Sequence, residues 1–281
     1  MLPAVTSGGM TASQQVRSSA SRAANSKPLE YLARGGFVAY GVIHLLFAWL
    51  ALQLAFGSSG AADQSGALET IGAQTGGKYL LVLIIIGMVA MAIWQAFEAA
   101  IGESGIQDRS AMAERVVSGC RAALYLYLAY LGYKVLSGAD PSQGDMQQSK
   151  TSSMMDGAGG RWLVGLIGLI VLGVGVGLIV YGLKKKFEKH LNTGQMSPSV
   201  HRTVRRLGMA GYPAKGIAYG IAGGLIIAAA VTYDAQKARG LDGALKALAK
   251  QSYGSWLLGL VALGIAAFGV YCFFQAKYRK V

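Results

Sequence analysis

The chain has 281 residues, of which 53% are hydrophobic and only 14% are charged, and its formal net charge is +13. Soluble domains carry about 25% charged residues, so this composition excludes an ordinary soluble domain. A content of 2 cysteines excludes a disulfide-stapled secreted module, and the 40 glycines lack the three-residue period of collagen. The composition therefore predicts a polytopic membrane protein.

The chain begins with a polar stretch and continues with six apolar ones. Residues 1–30 are rich in serine and alanine and bury too little surface to offset chain entropy, which predicts a disordered basic tail. The six apolar stretches are nearly uncharged and long enough to cross a bilayer core of about 30 Å as helices. They cover residues 36–56, 78–100, 116–136, 162–183, 212–233 and 254–276. None shows strand alternation, so the predicted fold is an all-α bundle of six transmembrane helices.

The segments that connect paired stretches differ in character. Apolar residues recur at helical spacing over residues 66–75 and 243–251, which predicts a short interfacial helix in each. The middle connector, residues 137–160, lacks that spacing and is predicted to be a loop. Pro213 lies at the expected first turn of the fifth crossing, where a missing N–H group is tolerated.

Basic residues are divided unequally between the two sides of the predicted bundle. The side of the N-terminus, which includes the C-terminus, holds 16 Lys and Arg residues, whereas the opposite side holds 7. The positive-inside rule therefore predicts that both termini are cytoplasmic. The same excess favours attraction to anionic lipid headgroups at the cytoplasmic face over binding to nucleic acid, because no aromatic residues are interleaved with the basic ones.

The first and fifth crossings open with related sequences. Residues 32–44 (LARGGFVAYGVIH) align with residues 207–219 (LGMAGYPAKGIAY), and Gly-Ala-Leu triplets follow at 66–68 and 243–245. A weaker middle copy aligns Gly36 with Gly119. Each copy makes two crossings, so the copies are parallel repeats. The sequence predicts three helical hairpins in a pseudo-threefold arrangement, with boundaries at residues 31–103, 115–190 and 206–281.

This repeated hairpin resembles the domain-of-unknown-function 1206 family. A glycine opens the first helix of each copy, a Gly-Ala-Leu connector follows in the first and third, and an aromatic residue (Tyr79, Trp162 or Trp256) opens the second helix. The resemblance covers residues 31–280 and implies an integral protein of a bacterial plasma membrane. It implies no activity, no cofactor and no catalytic residue.

Each repeat is predicted to place one polar side chain at about the same depth in the membrane. His44 lies eight residues into the first crossing, and its repeat counterparts are Tyr127 and Tyr219. Ionisable groups inside a membrane are candidates for function. In one interpretation the three side chains form a polar ring on the pseudo-threefold axis, able to relay protons or bind a small polar ligand. In the other, each side chain bonds to a neighbouring helix and fixes the packing.

Charged residues also occur within the inner halves of the predicted crossings. Glu98 is expected at the same level as Arg121 and Lys215, so a charge pair can form there. Alternatively, the two cations snorkel to the headgroups, or the three residues form part of a substrate site.

Small residues are expected to bring the helices together, because lipid supplies no hydrophobic drive between them. At four-residue spacing the fifth crossing carries one glycine face and the fourth carries another. These packing candidates are Gly216, Gly220, Gly224, Gly173 and Gly177. The faces are predicted to build the bundle's own core in preference to an oligomer interface.

Recognisable enzyme motifs are missing from the sequence. No predicted crossing carries two histidines, and phosphate-binding loops and metal-ligand spacings are lacking. We therefore predict no catalytic, cofactor or metal site and no enzymatic activity. The predicted function is that of a non-catalytic accessory or scaffold subunit of a larger membrane-protein complex. The alternative is a small transporter or channel with a polar pathway near the pseudo-threefold axis.

Overall fold

A computed structural model describes residues 27–57, 62–101, 110–139, 142–157 and 159–280. These residues form α-helices and short 3-10 turns, with no β-strand among them, so the all-α prediction is confirmed. The helices are α1 (Lys27–Ala55), α2 (Gln64–Gly72), α3 (Gly77–Ile101), α4 (Ser110–Leu136), α5 (Gln143–Met155), α6 (Gly160–Leu183), α7 (Pro198–Thr232), α8 (Gly240–Ala249) and α9 (Gly254–Tyr278). Of the predicted tail, residues 1–26 lie outside the described residues, and Lys27 already begins α1.

Five helices are long and apolar enough to cross a membrane, namely α1, α3, α6, α7 and α9. They correspond to five of the six predicted crossings, and the protein is therefore a polytopic membrane protein. The sixth, α4, has 27 residues and is about 40 Å long at 1.5 Å per residue. Four tyrosines and Arg121 lower its hydropathy, and its crossing of the membrane remains a prediction.

The second long helix of each repeat packs against the first long helix of the next. α3 packs on α4, α6 packs on α7, and α9 closes the circle by packing on α1. α1 also packs on α3, and α7 on α9, but α4 and α6 form no comparable contact within the described residues. The packing is cyclic, and the middle hairpin departs from the predicted threefold symmetry.

One end of the bundle, here called the terminal end, holds the start of α1 and the end of α9. The Nη1 atom of Arg34 in α1 donates a hydrogen bond of 2.7 Å to the carbonyl oxygen of Ala276 in α9. The backbone N–H of Asn192, in the α6–α7 connection, donates to the carbonyl oxygen of Tyr278 at 2.7 Å. These three segments therefore share one end, as an even number of crossings requires.

The opposite end, here called the connector end, carries the short helices α2, α5 and α8. α2 and α8 confirm the two predicted connector helices, whereas α5 shows that the predicted loop over residues 137–160 was wrong. The sequence of α5 is mostly polar, so its few apolar residues do not recur at the spacing of a helix face. Ser142 instead begins the helix by accepting a hydrogen bond of 3.3 Å from the backbone N–H of Asp145.

Hydrogen bonds between connectors join the three repeats at this end. The backbone N–H of Ala62 donates to Oδ1 of Asp242 at 3.0 Å, which joins the first repeat to the third. Arg239 Nη2 lies 2.8 Å from Oδ1 of Asp145, which joins the third repeat to the second. α2, α5 and α8 therefore form a linked layer over the bundle, here called the connector cap.

Asp63 begins α2 and is buried within the connector cap. Its Oδ1 atom accepts hydrogen bonds from the backbone N–H groups of Ser65 at 2.9 Å and Gly66 at 3.1 Å. Burial nevertheless raises the pKa of the Asp63 carboxyl above its ordinary value, and the negative charge of Asp242 acts in the same direction. Desolvation therefore outweighs the hydrogen bonds that favour the charged form.

Pro213 lies inside α7 and not at its first turn, so that prediction was wrong. α7 begins at Pro198 because Ser197 caps it there and no helix-breaking residue intervenes before Pro213. The prediction assumed that the helix begins where the apolar stretch begins, but the helix begins earlier, at Pro198. A side chain at Gly182 of α6 would place its Cβ 2.6 Å from Cδ of Pro213, so the proline ring packs directly on this glycine.

Candidate functional site

The first long helices of the three repeats meet around the side chain of Tyr40 on α1. Its hydroxyl accepts a hydrogen bond of 3.1 Å from Nζ of Lys215 on α7. Its ring packs edge-to-face against Tyr125 on α4, with the ring centroids 5.3 Å apart. All three side chains are buried, so each repeat contributes one polar side chain to this meeting point.

Lys215 is buried inside the bundle, because it is only 8% exposed. Its Nζ lies 3.9 Å from the ring centroid of Phe268 and 5.2 Å from that of Tyr40. No carboxylate of the described residues forms an ion pair with it. The lysine is therefore held by one hydroxyl and two aromatic rings, an arrangement that cation–π attraction stabilises.

His44 lies one turn along α1 from Tyr40 and is fully buried. Its Nδ1 lies 2.8 Å from the carbonyl oxygen of Tyr40. Because a carbonyl only accepts, Nδ1 carries the proton and Nε2 is the acceptor of the neutral ring. That Nε2 atom has no hydrogen-bond partner among the described residues. The His44 ring lies 4.9 Å from that of Phe268, which also contacts Lys215, so a donor and an unpartnered acceptor share this cluster.

Tyr127 and Tyr219 line a cavity of about 190 Å³ between α4, α6 and α7. The connector cap contributes amide side chains to its wall, those of Gln64, Gln143 and Gln147. His44 is not among the described residues that line it. The structure therefore divides the predicted ring: Tyr127 and Tyr219 share the cavity, and His44 lies with Lys215.

The predicted charge pair lies toward the terminal end. Oγ of Ser118 in α4 donates a hydrogen bond of 3.4 Å to Oε2 of Glu98. The direct partner of Lys215 is the hydroxyl of Tyr40. The structure thus gives Lys215 a partner other than Glu98, and the pairing of Glu98 with Arg121 stays a prediction.

Three of these polar side chains are in contact with one another inside the bundle. The hydroxyl of Tyr40 accepts a hydrogen bond of 3.1 Å from Nζ of Lys215. The ring of Tyr40 packs against that of His44, with the ring centroids 4.2 Å apart. We call this series the polar chain: Lys215, Tyr40 and His44.

Two of the five predicted packing glycines lie in the α6–α7 contact. A Cβ at Gly216 would lie 2.5 Å from the carbonyl oxygen of Gly175, and a Cβ at Gly175 would lie 2.6 Å from the backbone nitrogen of Gly220. At these distances the two backbones touch, so no side chain fits between them.

The other three predicted packing glycines do not face a neighbour. At Gly173, Gly177 and Gly224 a Cβ would have no heavy atom within 4 Å among the described residues, apart from its own helix backbone. α6 instead turns Gly168, Gly175 and Gly182 toward α7. Their seven-residue spacing equals nearly two helical turns and keeps them on one face, so the four-residue spacing identified the wrong face of α6.

Sequence reasoning missed Tyr40 and Tyr125, although one signal for Tyr40 was present. The alignment of residues 32–44 with 207–219 pairs Tyr40 with Lys215, and these are the two side chains that form the hydrogen bond. The same alignment pairs His44 with Tyr219, one helical turn nearer the connector end. The predicted ring was thus placed one turn away from the level at which the helices meet.

Three consecutive segments of the chain match a single family, described as Domain of Unknown Function (DUF1206). The matches cover residues 35–102, 117–185 and 210–279. The chain belongs to this family. The resemblance drawn from the repeated hairpin is therefore confirmed, together with the presence of three tandem repeats.

Among proteins similar to this family member is the uncharacterized protein YxxB of Bacillus subtilis (strain 168). The two are 29% identical over 258 residues, which are 91% of this chain and 94% of that protein. No solved structure matches the chain significantly. The similarity thus extends over nearly the whole of both proteins.

Proposed function

We propose that the protein is a small transporter that moves protons along the polar chain. The observation that carries this proposal is the hydrogen bond of 3.1 Å between Lys215 and Tyr40 inside the bundle. An ionisable residue is expensive to bury in a membrane and commonly marks an ion pathway or a proton relay. Here the buried lysine binds a hydroxyl, which can both donate and accept a proton.

The neighbours of Lys215 support movement of a proton in preference to a larger solute. His44 presents an acceptor nitrogen in the same cluster that has no hydrogen-bond partner among the described residues. Its repeat counterpart Tyr219 lines the cavity under the connector cap. The aromatic rings of Phe268 and Tyr125 pack closely around this level. Hydroxyl, amine and imidazole groups pass protons through hydrogen bonds without an open pore.

We also propose a location and an orientation. The protein would lie in a bacterial plasma membrane with its terminal end in the cytoplasm and its connector cap outside. The bacterial relative and the excess of basic residues on the side of the termini support this orientation, through the positive-inside rule. The connector end would then admit protons from outside to the cavity.

Proton flux into liposomes tests the proposed transport. The purified protein is reconstituted with a pH-sensitive dye inside, and a membrane potential is imposed with potassium and valinomycin. We expect flux well above that of empty liposomes, and we expect His44→Leu to lower it to the empty-liposome level. His201→Leu makes the same change near the start of α7, away from the polar chain, and should leave the flux unchanged. Equal flux through wild type and His44→Leu contradicts the proposal.

A scaffold role is the second candidate, favoured by the exposed side of α6. In the most apolar stretch of α6, only 17% is buried inside the protein. The corresponding share is 50% in each of the other four candidate spans. Gly173 and Gly177 are exposed on that helix, and small residues let another helix approach closely in a membrane. A transmembrane helix of a partner protein would fit there. Purification in mild detergent without any stoichiometric partner would contradict this role.

A further inference from the structure

A polar groove lies on the connector end, apart from the polar chain. It has a volume of about 810 Å³ and lies between α5 and the segment that joins α7 to α8. Its lining carries hydroxyl, carboxylate, amide and guanidinium groups, among them those of Ser152, Asp156, Gln148 and Arg239. Its size is that of a small-molecule site, but such sites are usually lined by apolar side chains. The polar lining of this groove therefore needs its own explanation.

One large aromatic side chain stands in this polar surface. Tyr233 lines the groove and is 62% exposed. The guanidinium carbon of Arg161 lies 4.8 Å from its ring centroid, and Nη1 of Arg161 donates a hydrogen bond of 3.1 Å to its hydroxyl. The ring is therefore fixed from one side while much of it stays accessible.

The polar groups of the groove are also held in place before any ligand binds. Nη2 of Arg239 contacts Oδ1 of Asp145 at 2.8 Å, and its Nε donates to Oε1 of Gln148 at 3.0 Å. Oδ1 of Asp234 accepts from the backbone N–H of Gln236 at 3.1 Å. Planar groups in fixed positions beside an aromatic ring can recognise a ligand with little loss of side-chain freedom.

We infer that this groove, which we call the glycan groove, binds an oligosaccharide of neutral or N-acetylated sugars. A sugar ring offers C–H groups that pack on an aromatic face, and hydroxyls that pair with carboxylate, amide and guanidinium groups. Three carboxylates line the groove, those of Asp145, Asp156 and Asp234. With Arg239 as the only cation among the described lining residues, acidic polysaccharides are disfavoured. The inference depends on the proposed orientation, which puts the groove outside the cell.

Binding of a soluble N-acetylglucosamine oligomer, measured by calorimetry on protein in nanodiscs, tests the inference. The decisive variant is Tyr233→Asn, because Tyr233 has a positive φ of 55° and asparagine tolerates that conformation. We expect Tyr233→Asn to weaken binding about tenfold, the upper range for an aromatic contact. Tyr233→Phe keeps the ring and should bind within about threefold of wild type.

The matched control is Tyr253→Asn, which removes another exposed tyrosine from the connector end. Tyr253 is 76% exposed and does not line the groove. Equal losses in the two asparagine variants overturn the inference, as does a wild-type protein that binds no oligosaccharide. Binding of a cell-wall peptide without binding of any sugar would also overturn the inference. If a neutral glycolipid in the nanodisc binds with the same dependence on Tyr233, the sugar is membrane-borne and the inference stands. None of these outcomes depends on proton flux.

Discussion

Replacing Gly175 by alanine is expected to destabilise the protein by about 1–3 kcal/mol, the usual effect of overpacking. The added Cβ would lie 2.6 Å from the backbone nitrogen of Gly220 and 2.7 Å from the carbonyl oxygen of Gly216. Both are backbone atoms of α7, so the new methyl group can be accommodated only if the two helices separate. Thermal unfolding in detergent measures the loss.

Gly173→Ala is the matched control, on the same helix two residues away. Its Cβ would meet no heavy atom within 4 Å among the described residues outside its own helix backbone. We expect a change within about 0.5 kcal/mol, typical of surface substitutions. If Gly173→Ala proved as destabilising as Gly175→Ala, the face of α6 seen in the structure would be wrong, and the four-residue spacing would have been the better guide.

The second large effect is expected at Tyr40 and Lys215. Tyr40→Phe removes the oxygen that accepts a hydrogen bond from Lys215 Nζ and leaves a buried amine without that partner. We expect a loss of about 1–3 kcal/mol, as for other unsatisfied buried donors. Lys215→Met should be close to neutral or stabilising, because apolar replacements of buried charges often are. Both variants should lower proton flux.

A double-mutant cycle separates this interaction from unrelated effects of each substitution. Tyr40→Phe should be far less harmful in the presence of Lys215→Met, with a coupling energy of about 0.5–3 kcal/mol. Tyr133→Phe removes a hydroxyl from an exposed tyrosine of α4 and serves as the control, with no coupling expected. Strict additivity of Tyr40→Phe and Lys215→Met would mean that the pair does not interact.

Hydropathy and repeat spacing predicted most of the architecture, because length and apolar content alone decide whether a helix can cross a bilayer. Five crossings and the connector helices α2 and α8 follow from such patterns. α5 does not, because its stability comes from the Ser142 cap and from packing on α6 and α8. Neither gives a hydrophobic period in the sequence.

The candidate site was harder to predict than the helices. His44 and Lys215 were recognisable as buried polar groups because charge is rare in the crossings. Their partners depend on how far each helix is shifted along its axis relative to the others. One turn, about 5.4 Å, separates the predicted level of His44 from the observed meeting point at Tyr40. Small-residue packing sets that shift, and its geometry is visible only in the structure.

The crossing of the membrane by α4 is the central claim that most needs a direct measurement, since it makes the number of crossings even. Cys120 and Cys272 are first replaced by alanine, and a single cysteine is then placed at Met112 or Ala139, exposed positions toward the two ends of α4. Intact bacterial cells are treated with a membrane-impermeant maleimide. We predict labelling at position 139 in intact cells and at position 112 only after permeabilisation. Labelling of both positions from the same side would contradict the six-crossing bundle and the cytoplasmic placement of both termini.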